Sequence, residues 1–508
     1  MSTATTSTSS YTELINQASE TSILGSIGNL LGWDQETMMP QGGAEYRARQ
    51  LALMARLRHE HLTSPKVAEL LGACSEDIDL DADTVEAANV RGIQRDFDRA
   101  SKLPTSLVSE IASTGSAAQH EWIEARKAND FSRFLPWLEK TVELCRKKAE
   151  CFGWNEDGEA WDALAEDYEP GCTAAAVSEV FGPLRERLRV LIERIASSPT
   201  NVSRSLDDLV LPVDQQMAFC RDVAGKIGFN FDRGRLDVSA HPFCGGSHCQ
   251  DVRMTTRFHE NMITDALSST MHECGHGIYE QGLGFEHVGT PMCDSVSLGI
   301  HESQSRMWEN QVGRSREFWE WCAPRLSEFF GDAVKDITPE LAYQSANRVA
   351  PGFIRVEADE ATYNMHIMIR FELERLMMNG ELLPKDLPGE WNRMYREYLG
   401  LEVVDDSNGC MQDVHWSMGA LGYFPTYTLG NLYCAQFFEQ ACESLPGLEN
   451  DFRNGQFDRL KVWLNENIHQ HARRYTPSEL CERITGKALS ADPLMRYLEG
   501  KLSPMYGI

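Results

Sequence analysis

Met271-His272-Glu273-Cys274-Gly275-His276-Gly277-Ile278-Tyr279-Glu280 is the stretch from which the rest of the chain is read. On a helix, residues four apart share a face, so His272 and His276 can both reach one metal ion. Glu273 then stands beside a metal-bound water with a carboxylate able to take its proton. The helix is supported locally: Met262, Ile263, Ala266, Leu267, Met271, Ile278 and Tyr279 fall near helical spacing, and Gly282 and Gly284 mark the end. Gly275 and Gly277 inside it each cost about 1 kcal/mol relative to Ala, a cost that makes sense where another backbone or a ligand comes close.

Two histidines do not complete a catalytic metal site, which needs three protein ligands and an open position. A third histidine six residues after His276 would be the metzincin solution, but Gly282 stands there. Glu280 lies about 12 Å along the helix axis from His272, too far to share its metal. The run His301-Glu302-Ser303-Gln304-Ser305-Arg306-Met307-Trp308-Glu309-Asn310 supplies Glu302 on a second helix, with a connection long enough to return beside the first. Glu302 is the third ligand of this reading. His301 points about 100° away around the helix and is expected beside the site, not in it. The pattern is that of a zinc peptidase.

Composition narrows the classes. At 508 residues the chain can form two or three average domains or one large helical unit, with a core that needs no staples. A formal charge of -28 disfavours nucleic acid and anionic membrane surfaces as partners. Fourteen cysteines are scattered without a CxxC pair, as expected of reduced thiols in a cytoplasmic protein. Cys244 and Cys249, close to His241 and His248, are the cluster that comes nearest to a second metal site, but no further pair with finger-like spacing follows. The Ser/Thr-rich residues 1–10 are expected to be a disordered tail. No Lys or Arg precedes Arg47, so a signal peptide is not expected, and no run of eighteen apolar residues predicts a membrane span.

Taken in order, residues 11–508 read as one mainly α domain. Helical patterns run from Tyr11 to about Leu71 with a break near Trp33–Gly43, then roughly over Thr84–Ala100, Thr105–Asn129, Ser132–Phe152 and Thr173–Ser197. Short strands are expected at Arg235–Ala240 and Asp251–Arg257, bracketing a turn at His241-Pro242-Phe243, with a third at Gly352–Val356. Beside the histidine helix, such a small sheet would offer a peptide substrate an edge.

The pair of motifs His272-Glu273-Cys274-Gly275-His276 and His301-Glu302-Ser303-Gln304 resembles the thermostable metallocarboxypeptidase family typified by carboxypeptidase Taq. Further stretches agree with that family: Gly32-Trp33-Asp34-Gln35-Glu36-Thr37, His241-Pro242-Phe243, Asp251-Val252-Arg253-Met254-Thr255, Ile354-Arg355-Val356-Glu357-Ala358-Asp359 and Gly409-Cys410-Met411-Gln412-Asp413-Val414-His415-Trp416. The resemblance implies an elongated multi-helix fold with a long central groove, a small antiparallel sheet next to the zinc, and a homodimer. It also implies removal of single residues from peptide C-termini with broad specificity, Pro being disfavoured, by an enzyme whose zinc cobalt can replace.

The chemistry that fits the residues is metal-assisted hydrolysis, with His272, His276 and Glu302 holding the metal and Glu273 as general base and then acid. A carboxypeptidase also needs a cation that reads the free α-carboxylate. With the resemblance placing its motif at the substrate, Arg355 is the candidate, against the alternative of a structural ion pair with an acid such as Asp359. Arg253 is the second choice, and His241 joins them on the substrate side. His415 and Tyr423 are candidate donors to the tetrahedral intermediate, each of which is by itself equally readable as a core residue. Asp251, Asp359 and His241 are candidates to orient the ligands. Two other functions stay open at this point: an oligopeptidase or dipeptidyl carboxypeptidase on a similar scaffold, and a peptide-binding protein without catalysis.

Overall fold

The computed structural model describes residues 4–508, with side chains described from Ser10 onward. Helices dominate it, as the patterning predicts. The four long helices expected before residue 200 are found at Val85–Lys102, Thr105–Ala128, Phe131–Phe152 and Ala174–Ala196, each within three residues of its expected ends. Their ends have local causes: Asn129 takes a left-handed conformation, φ 52°, after the second, and the Thr173 hydroxyl accepts from the Ala176 N–H at the start of the fourth. The first segment is a helix from Ala4 to Thr37, then Ala44–Leu62 and Pro65–Asp77, with proline opening the third piece. Of the tail expected over residues 1–10, residues 1–3 lie outside the described residues, and the backbone is helical from Ala4.

The chain divides into two compact units, each built from three segments. One comprises residues up to 101, 203–346 and 437–487; the other comprises 102–202, 347–436 and 488–508. Within the first, Leu14, Val67, Leu70, Leu71, Cys74, Val90 and Ile93 form a hydrophobic cluster under the N-terminal helices. Within the second, the buried Glu374 carboxylate accepts from the indoles of Trp161 and Trp416 at 3.0 and 2.9 Å and from the Gly422 N–H at 2.9 Å. Those donors offset part of the cost of burial, which still pushes the Glu374 carboxyl up to about 7.

The sheet has three strands, β1 (Gly234–Val238), β2 (Phe243–His248) and β3 (Asp251–Thr256), in the order β1-β3-β2. It is mixed: β2 and β3 pair antiparallel, but β1 pairs with β3 in parallel. The expected turn at His241-Pro242-Phe243 leads instead into β2, whose Gly245-Gly246 lacks the β-branched signature of a strand. Gly246 is needed there, at φ +146°, because a Cβ would lie 2.0 Å from the carbonyl oxygen of Asp251 at a register irregularity. Inserting β2 reverses the chain once more, which turns the expected antiparallel pair into a parallel one.

Gly352–Val356 is not a strand. Arg355–Glu357 is a single 3-10 turn, and the Arg355 N–H is taken by the Gln412 side chain at 2.8 Å. All fourteen cysteines are free thiols, most of them buried, and among the described residues no helix is long and apolar enough to cross a membrane.

Candidate active site

The helix Ile263–Gly282 carries His272, Glu273 and His276, and the helix Leu298–Arg306 carries Glu302. They pack backbone to backbone. A Cβ on Gly275 would lie 2.4 Å from the carbonyl oxygen of Gln304 and 2.6 Å from the Cα of Ser305, and one on Gly277 would lie 2.6 Å from the Phe229 ring. Both glycines therefore serve close approach, and Gly275 is what lets the two helices bring His272, His276 and Glu302 together. The second helix starts where the Ser297 hydroxyl accepts from the Ile300 N–H, and it runs into a π-helical turn at Met307–Val312.

His272 Nε2 and His276 Nε2 each lie 3.6 Å from Oε2 of Glu302, and among the described residues these three form the one cluster of ligand atoms lying within 4.8 Å of one another. With Nε2 turned inward, each imidazole is anchored from behind through Nδ1. His272 Nδ1 meets Glu309 Oε2 at 2.8 Å, and His276 Nδ1 meets His301 Nδ1 at 2.5 Å. His301 is held in turn by Glu280 at 2.8 Å, so two residues not chosen as ligands support a candidate one. Arg306 donates to both Glu302 and Glu309, at 2.8 and 3.0 Å. Glu309 also accepts from Ser268 at 2.9 Å and from Arg314 at 3.3 Å.

The electrostatics follow from burial and these partners. Burial together with the neighbouring His301 and His272 holds His276 well below its ordinary range, so its Nε2 is unprotonated and able to ligate near neutral pH. Burial resists charge on His272 too, but Glu302 and Glu309 overcome it and raise that residue. Burial pushes the Glu273 carboxyl up to about 7, with the positive field of His272 opposing. The Glu273 carboxylate is buried and accepts no hydrogen bond among the described residues, as suits a group whose partner is a water or a substrate.

Glu309 escaped sequence reading because it belongs to no histidine motif and sits on the π-helical turn. Its signal was the run Glu302, Arg306, Glu309, which shares one helix face. Gly282 has a steric reason as well: a Cβ there would meet His469 Nδ1 at 2.3 Å.

The remaining candidates fall into two groups. In the first unit, Arg253 is paired with Asp251 at 2.8 Å and lies over the Trp33 ring at 4.4 Å, and His241 is exposed, its carbonyl accepting from Ser239. In the second unit, Arg355 is buried, donating through Nε to Asp413 at 2.9 Å and through Nη1 to Tyr363 at 3.0 Å. Its acid is Asp413, shared with Arg370, and not Asp359, which caps the helix Tyr363–Asn379 through the Ala361 and Thr362 N–H groups. His415 lies ring to ring with Tyr423 at 5.3 Å, and burial and Arg355 push it down to about 4. Its Nδ1 is buried and has no hydrogen-bond partner among the described residues. Asp251, Asp359 and His241 do not hydrogen-bond the candidate ligand histidines; Glu309 and His301 do.

Comparison with known proteins agrees over nearly the whole chain. The family described as carboxypeptidase Taq (M32) metallopeptidase matches residues 13–502. Thermostable carboxypeptidase 1 of Thermus thermophilus is 44% identical over 98% of this chain and 99% of its own, and that of Pyrococcus furiosus is 38% identical over 94% and 95%. The crystal structure of M32 carboxypeptidase from Deinococcus radiodurans superposes with a TM-score of 0.94 at 42% identity, covering 98% of this chain and all of the other. The chain belongs to the carboxypeptidase Taq (M32) metallopeptidase family and is a metallocarboxypeptidase, a hydrolase acting on peptides.

Proposed function

We propose that this metallocarboxypeptidase is zinc-dependent and releases single amino acids from the free C-termini of peptides, with broad tolerance of side chains and with proline disfavoured at the scissile bond. The observation that carries the reading is the convergence of His272, His276 and Glu302 beside the unpartnered Glu273. Two imidazole nitrogens and one carboxylate oxygen suit zinc, leave a position open, and suit cobalt as a replacement. A metal held by His272, His276 and Glu302 would supply Lewis-acid chemistry, making water at the site more acidic.

Glu273 then takes the proton of the attacking water and returns it to the leaving amine. Arg355 reads the substrate carboxylate: its Nε and Nη1 are committed to Asp413 and Tyr363, while Nη2 makes no hydrogen bond among the described residues. His415 is neutral at pH 7, since it is pushed down to about 4, and with Tyr423 it serves the developing oxyanion. Arg253 and His241 shape the substrate side. The same reading takes a homodimer as the assembled form and the cytoplasm as the compartment, with no role for nucleic acid or membrane.

The test is digestion of a free-acid peptide ladder, with the products weighed, after chelation and after re-addition of zinc or cobalt. Single-residue steps that vanish on chelation and return with metal are expected. Two-residue or internal cuts would establish a dipeptidyl carboxypeptidase or oligopeptidase instead. Activity indifferent to metal, or unchanged in Glu273→Gln, would overturn the mechanism and leave a peptide-binding role to examine.

A further inference from the structure

Beyond the metal cluster, a second group of reactive side chains lies in the first unit. Cys249 occupies the tight turn between β2 and β3, and Cys293 ends the 3-10 turn Pro291–Cys293. They are 44 residues apart in sequence, yet their sulfurs are 3.9 Å apart. Both line a cavity of about 340 Å³ that also reaches Cys244, Glu280, Asp294 and Arg473. Cys249 is 1% exposed, but Cys293 is partly exposed, so a small oxidant has a route to the pair through the cavity.

We propose that Cys249 and Cys293 form a redox-active dithiol, closed to a disulfide by a hydroperoxide and reopened by a dithiol reductant. Cys249 is the attacking sulfur, because the Cys293 thiol donates to it and His248 adjoins it in the chain. The hydrogen bond from Cys293, acting against burial and helped by His248, holds Cys249 below the usual thiol range, while Cys293 is raised.

The Cys249 thiolate attacks one peroxide oxygen, forming an S–O bond as the O–O bond breaks, and the departing hydroxide is protonated to water. Cys293 then loses its proton and attacks the sulfenic sulfur. The S–S bond forms, the S–O bond breaks, and the leaving hydroxide joins that proton as the second water. Two thiols are oxidised by two electrons and one hydroperoxide is reduced.

Closing the bond requires the sulfurs to move from 3.9 Å to about 2.05 Å. Both thiols sit in short turns outside long helices, where such a shift costs least. The link would tie the β2–β3 turn to the segment that joins the histidine helix to the Glu302 helix, in a cavity that includes Glu280, the residue holding His301.

The experiment is exposure of the intact metal-loaded enzyme to stoichiometric hydrogen peroxide, followed by non-reducing peptide mapping by mass spectrometry. A Cys249–Cys293 cross-link that dithiothreitol reverses is expected in the wild-type chain, which needs no variant to fold. In Cys293→Ser, Cys249 should stop at the sulfenic acid and be captured by dimedone. Cys249 remaining a free thiol under peroxide, or cross-linking to a different cysteine, would overturn the proposal.

Discussion

Glu309 Oε2 lies 2.8 Å from Nδ1 of His272, on the side of the ring opposite the nitrogen that faces Glu302. A carboxylate there fixes the tautomer that leaves Nε2 unprotonated and makes that nitrogen a better donor. Replacing Glu309 by Ala should weaken metal affinity roughly 10–100-fold, the usual cost of losing such a partner, as read by competition with a chelator. Unchanged affinity would show that the contact only packs the helix.

Arg355→Lys keeps a positive charge beside Asp413 but loses the planar fork that grips a carboxylate. kcat/KM on free-acid peptides should fall roughly a hundredfold, in line with about 3 kcal/mol for charge-assisted hydrogen bonds, while C-terminally amidated peptides change little. Equal loss on both would remove Arg355 from terminal recognition.

Asp413 is buried between Arg355 and Arg370, and those two charges outweigh burial and hold its carboxyl well below the usual range. Burial alone would have raised it. Because the folded pKa is depressed, the stabilisation is full above the unfolded value of about 3.9 and is lost as pH falls below it. Urea melts at decreasing pH should show this loss. Asp413→Asn should cost about 3–5 kcal/mol at pH 7, having left two buried guanidinium groups without their anion, and should flatten the acid limb.

Gly275→Ala places a methyl group 2.4 Å from the Gln304 carbonyl oxygen, which is backbone and cannot swing aside. The two ligand helices must part, so stability should fall by about 1–3 kcal/mol and metal affinity should drop with it. Thermal melts with and without zinc separate the two effects, and a smaller zinc-induced rise in Tm than in the wild type is the expected sign.

Much of this protein is local in origin. Apolar spacing, proline and capping residues place the long helices, because helical hydrogen bonds and side-chain contacts reach only three or four residues along the chain. The same spacing puts His272 and His276 on one face, and the cost of two glycines inside that helix announces the backbone that touches it. Glu302 was legible because a ligand must come from a helix able to return. Tertiary structure decided the rest. β2 forms despite Gly245-Gly246 because β3 offers it a partner, Gly352–Val356 fails to pair because Gln412 takes its N–H, and Arg355 chooses Asp413 over Asp359 across 58 residues of chain. Glu309 reaches His272, and Cys249 reaches Cys293, in the same way. Local periodicity selects elements, but which polar groups meet depends on how those elements pack, and each buried polar group takes the partner that packing leaves within reach.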